Sequence, residues 1–415
     1  MNPLKILAIE TSCDETSLSL VEVNNTPGGA VFSVLGDITQ SQIDIMREFG
    51  GVFPAVAKRE HQLCIVPILM KILGINPSIT TPSCAPEVAP DILEKITAIL
   101  EREKPLQELF LEHVLTLTNP GITHICVTSG PGLEPALWVG INFAQALGIL
   151  WNIPVVPVNH MEGHVLSVLV PPDTVINTHT PKVSAYSFTY NTENIQFPAL
   201  ALLVSGGHTE IVEVRGIGDY TIIGRTRDDA VGEAFDKVAR ILGLLYPGGP
   251  EISKLAQIYR ENNTDNTEQL FPRPMIHSGD YDFSFSGLKT AVLYYVRDLR
   301  DNDTGRELTD TEKHKIAYEF ETAAVDVLVT KTLRAIKNTH AQSLIIGGGV
   351  AANNHLRSEL HRRIGEVIGT EHVHFPTTRL STDNSLMIAL AGYFKIIKNP
   401  AATYENIVAD GNWEL

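Results

Sequence analysis

Short apolar runs and polar or glycine-rich turns alternate along this 415-residue chain. Leu4 to Ile9 is apolar, Glu10 to Thr16 is a polar turn, and Ser17 to Val23 alternates apolar and polar positions. That pattern predicts a β-hairpin whose turn is rich in hydroxyl and carboxylate groups. His61 to Leu73 has helical spacing. Ile122 to Thr128 reads as a buried strand, Gly130-Pro131-Gly132 as a turn, Leu137 to Leu150 as a helix and Val155 to Val158 as another buried strand. A further helix starts at His160. In the second half, Ala199 to Val204, the Gly206-Gly207 turn and Glu210 to Val214 repeat the hairpin, and Leu344 to Ile346 is a strand ending in a glycine run. Strand and helix alternate, which predicts an α/β fold. The hairpins Leu4 to Val23 and Leu200 to Val214 read as equivalent parts of two lobes.

Two segments read as surface excursions. Pro77 to Pro90 is rich in Pro, Ser and Thr and is followed by a charged helical stretch, Asp91 to Glu112. Pro171 to Pro198 has Pro, Thr and Asn clusters around a strand at Val183 to Tyr190. The expected organisation is an N-terminal lobe over 1–159 with an insertion near 77–119, a C-terminal lobe over 160–385 with an insertion near 171–198, and a C-terminal helix and tail over 386–415.

Length and composition narrow the class. A chain of this size exceeds one compact core. Hydrophobic residues make up 44% and charged residues 19%, which suits a globular enzyme and not a disordered chain. The net charge of −16 excludes nucleic-acid binding by bulk electrostatics, so an RNA substrate would need local basic patches or a partner. Lys58-Arg59 and Arg362-Arg363 are the notable basic pairs. Cys13, Cys64, Cys84 and Cys126 form no CxxC pair, which suits reduced thiols in the cytosol. The N-terminus carries no signal-peptide pattern. The most apolar stretch, Ala136 to Val158, is interrupted by Asn142, Gln145, Asn152 and Pro154, so it predicts no membrane span.

His160 and His164 lie four apart, on one face of the expected helix, where both imidazoles could reach one ion. Met161 stands where a HExxH protease places its glutamate. Asp383 follows Leu380-Ser381-Thr382 and precedes an apolar helical run; it is a candidate third ligand or, equally, a helix N-cap. Ser205-Gly206-Gly207-His208-Thr209 follows a buried strand, and its amides and hydroxyls could hold a phosphate, although Gly-Gly also serves plain hairpin turns. Gly347-Gly348-Gly349 leading to Asn353 is the same device at a strand-to-helix junction. Gly248-Gly249-Pro250 is a third glycine turn, and Asp236, near a helix start, could bind a ribose or simply be a solvated carboxylate. No GxxxxGK[ST] sequence occurs, which argues against a P-loop ATPase.

Ten motifs in order carry a resemblance: IETSCDETS, GGVFPAVAKREH, GPGL, VNHMEGH, LLVSGGHTE, GEAFDK, YPGGP, FSFSGLKTAV, GGGVAANNHLR and STDNSLMIAL. From about Ile6 to Ala391 the chain resembles the tRNA threonylcarbamoyladenosine transferases, the bacterial TsaD family with counterparts in the KEOPS complex. The resemblance implies the two-lobe actin-like ATPase and sugar-kinase (ASKHA) fold with nucleotide between the lobes. It implies transfer of a threonylcarbamoyl group from threonylcarbamoyl-AMP to the exocyclic amine of the adenosine 3′ of the anticodon, in tRNAs reading codons that begin with A. It makes His160, His164 and Asp383 ligands of one divalent metal, iron(II) or zinc. Leu203, Val204, Ser205, Gly206, Gly207, Asp236, Gly249 and Asn353 would bind the adenylate, with Asp14 and Glu15 as candidate catalytic bases. Expected partners are a TsaB-like paralogue and a TsaE-like P-loop ATPase, in the cytoplasm and with no membrane. The chain departs from the family pattern in its two longer segments, in Glu134-Pro135 after GPGL, in Ser253 where many members carry Asp, and in Ser381 for a frequent Cys. Rival readings are a metalloprotease, an ATPase or sugar kinase of the same fold, which would not need the histidines, and a non-catalytic paralogue, which should lack the triad.

Overall fold

The computed structural model describes residues 3–26, 29–75, 88–172, 174, 186–190, 195–263, 269–301, 306–402, 404 and 406–415. Packing divides the chain into two compact units. The first comprises Met1–Asp44, Val52–Asn191 and Asp383–Leu415; the second comprises Ile45–Gly51 and Thr192–Thr382. The crossing falls near 191, not at the expected 159, because a strand at Tyr186–Thr189 pairs with the first sheet. The C-terminal residues are no separate tail: the helix Ser385–Lys398 packs on that sheet and on the helix His160–Leu166.

In the first unit, β1 (Leu4–Glu10), β2 (Glu15–Thr26), β3 (Gly29–Ser41), β4 (His124–Gly130), β5 (Val155–Asn159) and β6 (Tyr186–Thr189) form one sheet in the order β5-β4-β1-β2-β3-β6. β1, β2 and β3 form an antiparallel meander; β4 runs parallel to β1, and β5 parallel to β4. β1 is central and covered on both faces, which is why its apolar run is unbroken. Leu7, Ile9, Leu18 and Leu20 join a core shared with the helices Pro54–Ile72 and Glu134–Trp151. Alternate residues face the helix Ser385–Lys398. Ser17 and Ser19 bond to Ser385 on that side, and a Cβ on Gly392 would overlap the Sγ of Cys126.

Past Pro90 the expected surface excursion belongs instead to the first core. The stretch after Pro90 forms two helices, Pro90–Ile99 and Lys104–His113, and buries Ile96, Leu100, Leu106, Phe110 and Val114 in the first core. Phe110 meets Phe143 edge-on at 6.0 Å. The chain turns between the two helices at buried Glu103, which pairs with Lys58 at 3.0 Å and accepts from Gln62. Residues 76–87 of that excursion, with Cys84, lie outside the described residues, as do 173, 175–185 and 191–194 of the second excursion. The strand expected at Val183 to Tyr190 is described over Tyr186–Thr189.

The second unit holds β7 (Ala199–Val204), β8 (Thr209–Gly216), β9 (Asp219–Arg225), β10 (Ser343–Gly347) and β11 (Val373–His374), in the order β11-β10-β7-β8-β9. β7, β8 and β9 are an antiparallel meander, β10 is parallel to β7, and β11 is parallel to β10. Each unit therefore carries the same strand plan, β1 to β5 in one and β7 to β11 in the other. The duplication expected from the two hairpins holds, and the fold is α/β. The core of the second unit is closed by the helices Val231–Ile241, Gly248–Asn262, Asp310–Thr339 and Asn354–Ile368. The excursion Ile45–Gly51 is fastened to it by Arg47 Nε, which donates to the Tyr246 carbonyl at 2.9 Å, and by Arg240, which donates to Gly50. Among the described residues, no helix is long and apolar enough to cross a membrane, and Cys13, Cys64 and Cys126 are free thiols.

Candidate functional site

The strands β1 and β5 flank β4 in the sheet, all three parallel, and the C-terminal ends of β1 and β5 start the first constellation. β5 runs into the helix His160–Leu166 through Asn159, whose Oδ1 accepts from Met161 N at 2.9 Å and Glu162 N at 3.2 Å. His160 opens the helix and His164 follows one turn later. Gly163 lets this helix approach the helix Ser385–Lys398, since a Cβ there would lie 2.9 Å from Met387 Cγ. Asp383 sits just before that second helix. The cap is Asn384, which accepts from Met387 N at 3.0 Å, so Asp383 is not spent as an N-cap. Ser385 N donates to Ser17 Oγ at 3.0 Å, fixing Asp383 against β2.

His164 Nε2 lies 3.2 Å and His160 Nε2 3.4 Å from Asp383 Oδ1, and the rings meet edge-on at 4.7 Å. The three ligand atoms fall within 4.8 Å of one another, and the group could hold a metal ion. Both imidazoles are buried, while the Asp383 side chain is 19% exposed and gives the group its open side. Two imidazoles and a carboxylate suit zinc or iron(II). Glu10, at the end of β1, completes the arrangement. It is fully buried and accepts from Ser12 N at 2.5 Å, Thr128 Oγ1 at 2.6 Å and His160 Nδ1 at 3.0 Å. That bond places the His160 proton on Nδ1 and turns Nε2 towards Asp383, as a carboxylate behind a metal-binding histidine does.

Charge follows from this geometry. Burial works against ionising Asp383, but the His160 charge and hydrogen bonds from both imidazoles outweigh it and hold the carboxyl well below its usual range. Burial likewise opposes the charged form of His160, yet Asp383 and Glu10 raise it well above the ordinary imidazole value. His164 is pushed down, by burial first. His164 Nδ1 is buried with no hydrogen-bond partner among the described residues. The group thus pairs two carboxylates with one positive charge, a role a bound cation could take over.

Asp14 and Glu15 lie in the turn between β1 and β2. Asp14 is buried and Glu15 half-buried. Burial raises both carboxyls; mutual repulsion and the charge of Asp383 push Glu15 well above the ordinary value. Carboxyls so raised are suited to proton transfer near neutral pH. His61 supports the turn from below. Its Nε2–H donates to the Cys13 carbonyl at 3.0 Å, which leaves Nδ1 to accept from Thr16 Oγ1 at 2.8 Å.

The second constellation is built wholly in the second unit. Leu203 and Val204 are buried strand residues of β7, which place the Ser205–Thr209 turn. Ser205 Oγ accepts from His208 N at 3.0 Å, and Ser205 O accepts from Gly232 N at 3.2 Å, seating the turn on the helix Val231–Ile241. Asp236 Oδ1 accepts from Gly248 N at 2.7 Å and holds the start of the helix Gly248–Asn262 beside it. Asn353 caps the helix Asn354–Ile368 by accepting from Leu356 N at 2.8 Å, while its Nδ2 donates to Ser253 Oγ at 2.9 Å and to buried Glu321 at 2.8 Å. The glycines sort into two kinds. A Cβ on Gly232, Gly248 or Gly348 would strike the protein's own backbone or side chains, so these pack the loops together. A Cβ on Gly206, Gly207, Gly249 or Gly349 would meet nothing within 4 Å. No close contact among the described residues requires glycine at these four positions, and the open backbone is one against which a ligand could lie. Pattern reading missed Glu10, Asn159, Gly163 and Glu321; a charged residue ending a buried strand was the available signal for Glu10.

Comparisons with known proteins agree with one another. The profile of the TsaD family, described as tRNA N6-adenosine threonylcarbamoyltransferase, matches residues 104–390. A tRNA N6-adenosine threonylcarbamoyltransferase of Burkholderia thailandensis is 40% identical over 397 residues, which is 95% of this chain and 93% of its own length. A protein of the same name from Nitrosospira multiformis is 38% identical over 412 residues, 99% of this chain and 97% of its own.

Proposed function

The chain belongs to the tRNA N6-adenosine threonylcarbamoyltransferase family, and we propose on that footing that it transfers threonylcarbamoyl from threonylcarbamoyl-AMP to tRNA. The acceptor is the N6 amine of the adenosine 3′ of the anticodon in tRNAs reading codons that begin with A. The observation that carries the site is the meeting of His160 and His164 with Asp383, 219 positions further along than His164, within one ligand-sized group. A sugar kinase or ATPase has no use for that group, and a HExxH protease needs a glutamate where Met161 stands.

The donor is a mixed anhydride of a carbamic acid and a phosphate. N6 attacks the carbamoyl carbon, a C–N bond forms, the C–O bond to phosphate breaks, and AMP leaves with its electron pair. The N6 proton must go to a base, and Asp14 or Glu15, with raised carboxyls, are the candidates. The Ser205–Gly207 turn and Gly249 would hold the phosphate and sugar, with Asp236 and Asn353 fixing the helices around them. His160, His164 and Asp383 would hold iron(II) or zinc, which when bound supplies a Lewis acid. A TsaB-like paralogue and a TsaE-like P-loop ATPase are the proposed partners, in the cytoplasm where tRNA is processed.

The test is mass spectrometry of tRNA nucleosides after the metal-loaded chain, the proposed partners, threonylcarbamoyl-AMP and tRNA are incubated together. Threonylcarbamoyladenosine should appear. Gly206→Val should abolish it and calorimetric AMP binding without lowering thermal stability, because a Cβ at that position would meet nothing within 4 Å. No modified nucleoside from a folded, metal-loaded protein with its partners would overturn the reading.

A further inference from the structure

Tyr404 and residues 406–414 lie at the site end of the first sheet and fasten there. Ile407 is buried in the first core. Asp410 N donates to the Ser129 carbonyl at 2.8 Å, and Gly132 N donates to the Gly411 carbonyl at 3.3 Å. Gly130 admits this approach, since a Cβ there would overlap the Asp410 carbonyl. Lys395 Nζ donates to the Pro157 carbonyl of β5 at 2.7 Å and lies 5.0 Å from the Tyr404 ring and 5.3 Å from the Trp413 ring. The last contact is with Asn159. Its Nδ2 donates to the Trp413 carbonyl at 3.1 Å and the Glu414 carbonyl at 3.4 Å.

Asn159 therefore has two sides with separate tasks. Oδ1 caps the helix His160–Leu166, and Nδ2 is held by the returning segment. The reverse amide orientation would set a carbonyl against carbonyls and N–H against N–H, so the amide is locked at both ends. The helix it starts has only seven residues, too few to hold itself in place, and His160 is its first residue.

We propose that Asp410–Glu414 is a strap that positions the metal-ligand helix through Asn159, and that metal affinity depends on it although none of its residues is a ligand. Asn159 and Trp413 are positioning residues in this scheme. The strap holds the amide, the amide holds the first turn, and the first turn aims His160 Nε2 and His164 Nε2 at Asp383. This rests on the reading of His160, His164 and Asp383 as metal ligands.

Zinc(II) affinity, measured on the full chain by competition with a chromogenic chelator, tests it, with thermal unfolding recorded for each protein. The unaltered chain should bind one zinc; failure at this step would count against the ligand set. Asn159→Ser keeps an acceptor for the helix N–H groups and loses both donors to the strap. Trp413→Ala keeps the carbonyl that Asn159 meets but removes the ring beside Lys395 that seats this stretch of the strap. Each should weaken zinc binding about tenfold to a hundredfold, the range for outer-shell partners of metal sites, while remaining folded. Unaltered affinity in either variant overturns the strap and leaves the ligand set standing. If Asn159→Ser does not fold, Trp413→Ala decides alone.

Discussion

At the scale of single residues, the site depends on which side chains are already occupied. Asn384 takes the capping work at the helix Ser385–Lys398, and this frees Asp383 for the histidines. Asp383→Ala should thus leave the helix capped and the protein folded. It should lower metal content at least tenfold, read by plasma emission beside a melting curve, because two remaining ligands hold a divalent ion poorly. Full metal content in the variant would remove Asp383 from the site. His61 gives a second residue-scale expectation. Burial pushes its imidazole down to about 4, against roughly 6.5 in an unfolded chain. The unfolded state then binds the proton more readily, so the stabilising contribution is complete above about pH 6.5, falls as pH drops towards 4, and is flat below. The loss attributable to His61 at pH 5 is about 2 kcal/mol. His124, His355 and His361 are also lowered, so the comparison is between the unaltered chain and His61→Gln in denaturant titrations at pH 7 and pH 5. An identical pH dependence of the two would contradict the assignment.

At the scale of elements, the helices Pro90–Ile99 and Lys104–His113 matter most, because their charged faces conceal a buried stripe. Phe110 is fully buried against Phe143. Phe110→Ala should cost about 3–5 kcal/mol in urea unfolding, as large-to-small core changes do; a true surface excursion would lose no more than about 0.5 kcal/mol. Other elements escaped the sequence pattern for physical reasons. The long helix Asp310–Thr339 buries Glu319, Glu321 and Lys331 beside its apolar residues, which blurs the periodicity that marks an amphipathic helix. β3 alternates buried and half-buried residues, but Gly36 and Asp37 interrupt its apolar set. By contrast, β7 was legible to the residue, since all six of its side chains are buried and glycines follow at once.

At the scale of the whole molecule, the formal charge of −16 sets how RNA can be met. Three of the four residues in the basic pairs are already engaged: Lys58 with Glu103 at 3.0 Å, Arg362 with Glu359 at 2.6 Å, and Arg363 with Asp326 at 3.7 Å. The isolated chain should therefore bind tRNA weakly, with a Kd above about 10⁻⁶ M at physiological salt, and more weakly still as salt rises. Fluorescence anisotropy with labelled tRNA, with and without the proposed partners, measures this. Tight binding by the chain alone that ignores salt would contradict it.

The α/β class, the duplicated hairpins, the spacing of His160 and His164 and the glycine turns are legible in the order of residues alone. These are local features, set by residue period and by turn chemistry within a few positions. Tertiary structure alone decided that Asp383 reaches the histidines, that Glu10 orients His160, that Gly206 faces open space while Gly348 packs against Val204, and that residues 410–414 brace Asn159. Apart from the open space at Gly206, each of those joins positions far apart in the chain, and only the packing of the elements that carry them fixes their distance.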